Sequence, residues 1–162
     1  MTTAAIQARR AVLAALCAAT VPACAQFASA PSPQPHATAP SRADSPQQYR
    51  RDAAEHLYAS YPLNVHKGKL PPLMYAVAMT ETDIDADGRV TAVRFVREPA
   101  AAKEVMPWIS AMIQRAAPFP PPGPQAGAQT VTEVWLVNRN GHFQLHTLSE
   151  GQADSSSHAL AN

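Results

Sequence analysis

Acidic residues at alternate positions, closed by a glycine, form the strongest chemical pattern in the chain: Asp83, Asp85 and Asp87, then Gly88 and Val90. As chemistry, this is the opening of a calcium loop. A twelve-residue loop starting at Asp83 would end at Arg94, where the ion needs a bidentate glutamate. A guanidinium at that point repels a cation, and Glu98 lies too far along to replace it. As architecture, the same residues form a β-hairpin turn, with Asp87-Gly88 supplying the positive φ that such turns require. The flanks decide for the turn. Tyr75–Thr80 before it and Val90–Val96 after it are rich in β-branched and aromatic residues, which suit strands rather than the helices of a calcium-binding hand.

The other chemistry-bearing side chains do not gather. His142 and His146 follow the hairpin signal Asn140-Gly141. On a strand they would stand about 13 Å apart, at ~3.3 Å per residue, too far for one ion. His66, beside Lys67 and Lys69, reads as a loop residue. Ser60, Ser110 and Ser149 offer hydroxyls without a recognisable histidine and acid arrangement. Glu81 and Asp83, two apart on a strand, share a face and read as the solvent side of a half-exposed sheet. Arg94 and Arg97 read as outward strand charges, and Trp108 and Trp135, each within an apolar run, as core. There is no Gly-rich phosphate loop. The expectation is therefore a protein without catalytic residues, metal ligands, cofactor or small-molecule substrate. The alternative is a small periplasmic hydrolase or metal-dependent enzyme built on an unrecognised site.

The start of the chain sets the expected compartment. Arg9-Arg10 precedes the apolar run Ala11–Val21, and Ala23-Cys24-Ala25 supplies small residues in the pattern of a cleavage site. The run is shorter than the about 20 residues a helix needs to cross a ~30 Å bilayer core. Residues 1–25 thus read as a signal peptide cut between Ala25 and Gln26, with export to the periplasm. The twin arginines leave both export routes open. Val21-Pro22-Ala23-Cys24 is also similar to a lipobox, which would make the protein an outer-membrane lipoprotein through Cys24. Pro22 and the good fit to ordinary cleavage favour the first reading. Both cysteines, Cys17 and Cys24, lie in this leader, so its removal leaves no thiol for a disulfide or a zinc site. The full chain carries 13 basic and 12 acidic residues, and losing Arg9 and Arg10 would leave 11 against 12, a formal charge of −1. Such a surface speaks against nucleic-acid binding, which needs a basic face.

Residues 26–44 are rich in Pro, Ser, Ala and Gln and are expected to be a semi-extended linker without packing of its own. The tail, 151–162, with its Ser155–Ser157 run, is expected to be disordered. Between them, 45–150 fits one domain. Ser45-Pro46-Gln47-Gln48 is a helix start with N-cap, N1 proline and a capping-box glutamine, and Pro62 ends that helix. The hairpin follows. A second helix is expected over about 100–117, burying Val105, Trp108, Ile109, Met112 and Ile113. Pro107 demands either a kink or a helix that begins near it. Val131–Val137 reads as a third strand and, after Asn140-Gly141, His142–Leu148 as a fourth. The order α, β, β, α, β, β predicts an α+β fold: a small antiparallel sheet of three to four strands with two helices on one face.

Tyr61-Pro62 at the entry, Asp85-Ala86-Asp87-Gly88-Arg89-Val90 at the hairpin, and an amphipathic helix ending in Ala117-Pro118-Phe119-Pro120 before a strand resemble the C-terminal domain of the TonB family. The resemblance covers about 61–138. It implies a non-enzymatic protein-interaction module in the cell envelope of a Gram-negative bacterium, linked to TonB-type transport. Its partner would be an envelope protein or peptide segment pairing with the third strand, at Val131, Glu133, Val134, Trp135, Leu136 and Val137. The chain departs from the family in three respects. The expected leader is cleaved rather than kept as a membrane anchor. The proline-rich stretch is short, reaching about 60 Å at ~3.1 Å per residue. A fourth strand also stands ready to cover the docking edge. On this reading, N-terminal sequencing of protein from the cell envelope begins at Gln26. Retention of Met1 in a membrane fraction would restore an anchored protein.

Overall fold

The computed structural model describes residues 27–123 and 126–152. The expected leader, its Ala25–Gln26 cut, Cys24 and the tail beyond Gln152 lie outside the described residues. The fold is α+β: a four-stranded antiparallel sheet with two helices packed against it, in the order β2-β1-β3-β4. Its elements are α1 (Pro46–Ser60), β1 (Ala76–Ile84), β2 (Val90–Arg97), α2 (Val105–Arg115), β3 (Gln129–Val137) and β4 (Phe143–Leu145). No helix among the described residues is long and apolar enough to cross a membrane.

Helix α1 begins where the cap residues dictate. The Ser45 hydroxyl accepts the Gln48 N–H at 3.3 Å, and Pro46 fills the first turn. The Gln48 side chain reaches back to the Asp44 N–H, one residue before the cap, at 2.7 Å. Tyr49, Ala53, His56 and Leu57 point inward. Helix α2 starts at Val105, so Pro107 falls in its first turn, where a missing N–H costs nothing. The preceding residues form tight turns, with the Ala102 N–H bonded to Pro99 O and the Val105 N–H to Ala102 O. Val105, Trp108, Ile109, Met112 and Ile113 are all at most 3% exposed. They meet the inward residues of β1 and β3, which alternate strictly with half-exposed ones. The opposite face of the sheet, carrying Val77, Met79, Val134 and Leu136, is half-exposed.

Both turns use one device. In the β1–β2 turn the Asp85 carboxylate accepts the N–H groups of Asp87 and Arg89 at 2.9 and 2.8 Å, and Gly88 takes φ 83°. In the β3–β4 turn the Asn138 amide oxygen accepts from Asn140 and His142 at 2.9 and 3.0 Å, and Gly141 takes φ 75°. The Asp85 N–H on Arg89 O and the Asn138 N–H on His142 O close three-residue loops, 86–88 and 139–141, so each expected two-residue turn is one residue longer, on its N-terminal side.

Three expectations need correction. The expected 26–44 linker is extended over its described residues, 27–44, but these form a packed strap. Phe27 is 5% exposed, stacked on Tyr75 at 5.6 Å and edge-on to Trp108 at 5.4 Å. The Gln34 N–H donates to Ser60 O at 2.7 Å, Arg115 to Ala30 O at 2.7 Å, and the Ser41 N–H to Pro121 O at 3.0 Å. Proline keeps a segment out of helix and sheet yet leaves its neighbours free to bond sideways. The start of the tail is also held: the Leu70 N–H donates to Gly151 O at 2.9 Å, and the Gln152 amide to Pro71 O and Pro72 O. Finally, β4 is three residues long, and His146–Leu148 is a 3₁₀ turn rather than strand.

Gly88 and Gly141 share a backbone conformation but not a neighbourhood. A Cβ at Gly88 would stand 2.1 Å from Phe119 O, whereas Gly141 faces open space. The hairpin tip docks there, with the Phe119 N–H on Gly88 O at 2.8 Å. Gly141→Ala should cost only left-handed strain, of order 1–3 kcal/mol. Gly88→Ala should cost clearly more by urea unfolding, since the chain after α2 must also move. Equal costs would show that the tip does not dock.

Candidate functional site: the open edge of the third strand

The residues singled out on β3 divide into two sets. Val131, Glu133, Trp135 and Val137 point into the core and are at most 8% exposed. Their side chains are therefore not available to a partner, so any pairing at these positions would run through the backbone. Trp135 is fully buried, packs against the tilted Phe143 ring at 5.0 Å and donates its indole N–H to Thr80 Oγ1 at 3.1 Å. Val134 and Leu136 lie on the half-exposed face. What β3 can offer a partner is its backbone edge.

Pairing divides that edge as well. β4 pairs with Trp135, Leu136 and Val137 only. The next outward group, the Val134 N–H, is taken by the Glu133 carboxylate at 2.9 Å. Strand alternation sends the N–H and C=O of Thr132 and Thr130 the same way as those of Val134. No residue pairs with them there among the described residues. A groove of about 610 Å³ opens at the start of this edge, between Gln129, Gly123, Tyr49, Pro46 and the strap residues Ser41 and Arg42.

Glu133 fixes the boundary. It is 4% exposed, and its Oε1 accepts Val134 N–H, Thr147 N–H at 3.3 Å and Arg50 Nη2 at 3.3 Å. Holding the Thr147 amide turns the chain away after Leu145, whose own N–H donates to the Tyr58 hydroxyl at 3.1 Å. The strand therefore stops after three residues. The outer side of β4 is closed by the 64–66 segment, with Phe143 N–H on Asn64 O and His66 N–H on Phe143 O, both at 2.8 Å. Around Glu133, three buried atoms have no hydrogen-bond partner among the described residues: Glu133 Oε2, Arg50 Nε and Thr147 Oγ1. Each such group costs about 1–3 kcal/mol.

The opposite edge, β2, has no strand on its outer side among the described residues, but it is defended. Its pairing with β1 is irregular at Met79/Thr80 and at Asp83/Ile84. Arg94 crosses to Asp83 at 2.5 and 3.0 Å and to Glu81 at 3.5 Å, which keeps the Asp83 carboxyl below the usual carboxylate range. Bulges and charges of this kind discourage edge pairing.

The remaining candidates stay apart. Asp83 serves Arg94 and Thr130, and Asp85 serves the turn. His142 and His146 open on different grooves, one shared with Leu63 and His66, the other with Met74 and Leu136. The Ser60 hydroxyl donates to His56 O at 2.9 Å and that of Ser149 to Gln144 Oε1 at 3.1 Å. Among the described residues no three His, Cys, Asp or Glu side chains could share a metal ion. Sequence reasoning missed one contact, between His56 of α1 and His36 of the strap. His56 sits seven residues after Tyr49, on the apolar stripe, and that position was the readable signal.

Glu133→Ala removes the acceptor of two amides and strands Arg50. With the Arg50 side chain still 35% exposed, the expected loss is about 1–3 kcal/mol, together with faster hydrogen exchange at Val134 and Thr147. Unchanged exchange at both amides would mean that the carboxylate does not close the ladder.

No protein-family model matches the chain, and comparison with curated proteins and with solved structures finds no match either, so the geometry of this edge is the ground for a functional reading.

Proposed function

We propose that the protein is a non-enzymatic interaction module of the periplasm that takes an extended segment of an envelope protein onto the free edge of β3, at Thr130–Thr132. The observation that carries this reading is the three-residue β4. It leaves the outward N–H and C=O groups of Thr130 and Thr132 unpaired among the described residues, beside an open groove. An unpaired edge is a template for another strand, with backbone bonds supplying affinity and flanking pockets supplying specificity. The resemblance to the TonB C-terminal domain supports the same strand and a link to envelope transport. The leader-like start of the chain supports the compartment.

The placement of the groups gives a clean test. Thr132 directs its N–H outward, so a proline there removes one docking donor and leaves the β1–β3 ladder whole. In cells, a photo-crosslinking residue at Thr130 should trap one envelope partner, and a second substitution, Thr132→Pro, should abolish that adduct while the fold persists. The same crosslinker at Val96 of β2 should give none. An adduct that survives Thr132→Pro, or that forms from Val96 instead, would contradict edge docking at β3.

A further inference from the structure

Two imidazoles meet where the strap crosses α1. His36 Nε2 and His56 Nδ1 are 3.0 Å apart, with ring centroids at 4.6 Å. Each outer nitrogen faces a backbone carbonyl: His36 Nδ1 lies 3.1 Å from Gln34 O, and His56 Nε2 lies 2.7 Å from Ala116 O. A carbonyl oxygen only accepts, so both outer nitrogens carry hydrogen. In a neutral pair both facing nitrogens would then be bare, lone pair against lone pair. One added proton resolves the conflict. It completes a continuous chain: Gln34 O, H–Nδ1 of His36, Nε2–H of His36, Nδ1 of His56, Nε2–H of His56, Ala116 O.

We propose that His36 and His56 form a proton-binding site that latches the strap to the domain when the pair holds a single extra proton. His36 is exposed, and His56 lies at 6% exposure under the Phe119 ring. Burial, the largest influence on it, pushes the His56 imidazole below its usual value. The bond to Ala116 opposes this, and the charge of His36 adds to it. The surrounding charges fit one cation. From α1, Asp52 and Glu55 line the same groove. Asp52 accepts the Ser41 hydroxyl at 2.5 Å, and Glu55 pairs with Arg51 at 3.0 Å. The strap adds Arg42. The chain after α2 contributes the Ala116 carbonyl, Phe119 and Pro120, none of them charged, and Arg115 of α2 is spent on Ala30 O.

The linkage has two limbs. Docking favours uptake of the first proton, so the latch strengthens as pH falls into the histidine range. Docking disfavours a second proton, because His56 is held low. Below its ordinary value of ~6.5 the released strap takes that proton and the docked strap does not, so the latch weakens again. Ser41 and Arg42 of the strap wall the groove beside β3, so the latch also sets the shape of that groove. The latch stands whether or not a partner uses the edge.

The test reads the Gln34 amide, bonded to Ser60 O, by hydrogen exchange in the full chain between pH 5 and 8, corrected for intrinsic rates. Protection should peak within the histidine range and fall several-fold on both sides, while amides of β1 stay constant. Nitrogen-15 shifts of the rings should show an imidazolium at His36 and an Nε2–H neutral ring at His56. His36→Gln, at an exposed position, should keep the fold and flatten the profile. Protection that is flat with pH in the native protein, or an unchanged bell in His36→Gln, would overturn the proposal. So would zinc or copper(I) ions that raise Gln34 protection at pH 8 through these two rings, since the site would then belong to a metal.

Discussion

Glu133, on the inward face of β3, accepts the N–H of Val134 and of Thr147 and pairs with Arg50. A strand edge in water can stay open, but an amide at the margin of the core must find an acceptor. The carboxylate supplies it from within the strand itself, at the point where β4 leaves. Above Glu133 the edge belongs to the fold: β4 pairs with Trp135–Val137 and is itself backed by the 64–66 segment. Below Glu133 the outward groups of Thr132 and Thr130 have no partner among the described residues. A buried carboxylate surrounded by unpartnered atoms is a costly way to end a hairpin, and an apolar residue would let β4 run on. The cost is consistent with an edge kept available.

The rest of the molecule packs around β3, which lies between β1 and β4. A line of aromatic rings runs from the strap to the sheet: Tyr75, Phe27, Trp108, Phe143 and Trp135, each in contact with the next. The strap, α2, β4 and β3 thereby share one core. The same strap passes over α1, where it meets His56, and continues to the groove at the start of β3. A segment that by composition should wander is in this way coupled both to the core and to the candidate docking edge.

Most of the fold is legible in the residues. The capping residues Ser45, Pro46 and Gln48 mark α1, the Asp-Gly and Asn-Gly turns mark the two hairpins, and the stripe from Val105 to Ile113 marks α2. Pro107 leaves two solutions for that helix, and the one taken places it in the first turn. The short β4 is not legible. His142–Leu148 alternates as a strand should, and what ends it is Tyr58, some 87 positions away, and Glu133, 14 away. Long-range acceptors leave no local trace. The strap is hidden for the same reason: Pro and Ser predict its extended backbone, but Phe27, which ties it to the aromatic core, is a lone large apolar residue in a low-complexity stretch, and its hydrogen bonds go to distant partners. At the candidate site the strand was readable and its inward and outward sets were readable by alternation. The division of its edge was not, because that depends on where β4 stops.

Amide hydrogen exchange along β3 in the isolated protein tests the division of that edge most directly. An open lower edge gives an alternating pattern: Thr130 and Thr132 exchange near unstructured rates, while Val131 and Glu133, bonded to β1, exchange slowly. From Val134 onward every amide is protected. Protection of Thr130 and Thr132 equal to that of Leu136 would mean that the edge is already covered in solution, and docking at β3 would have no place to occur.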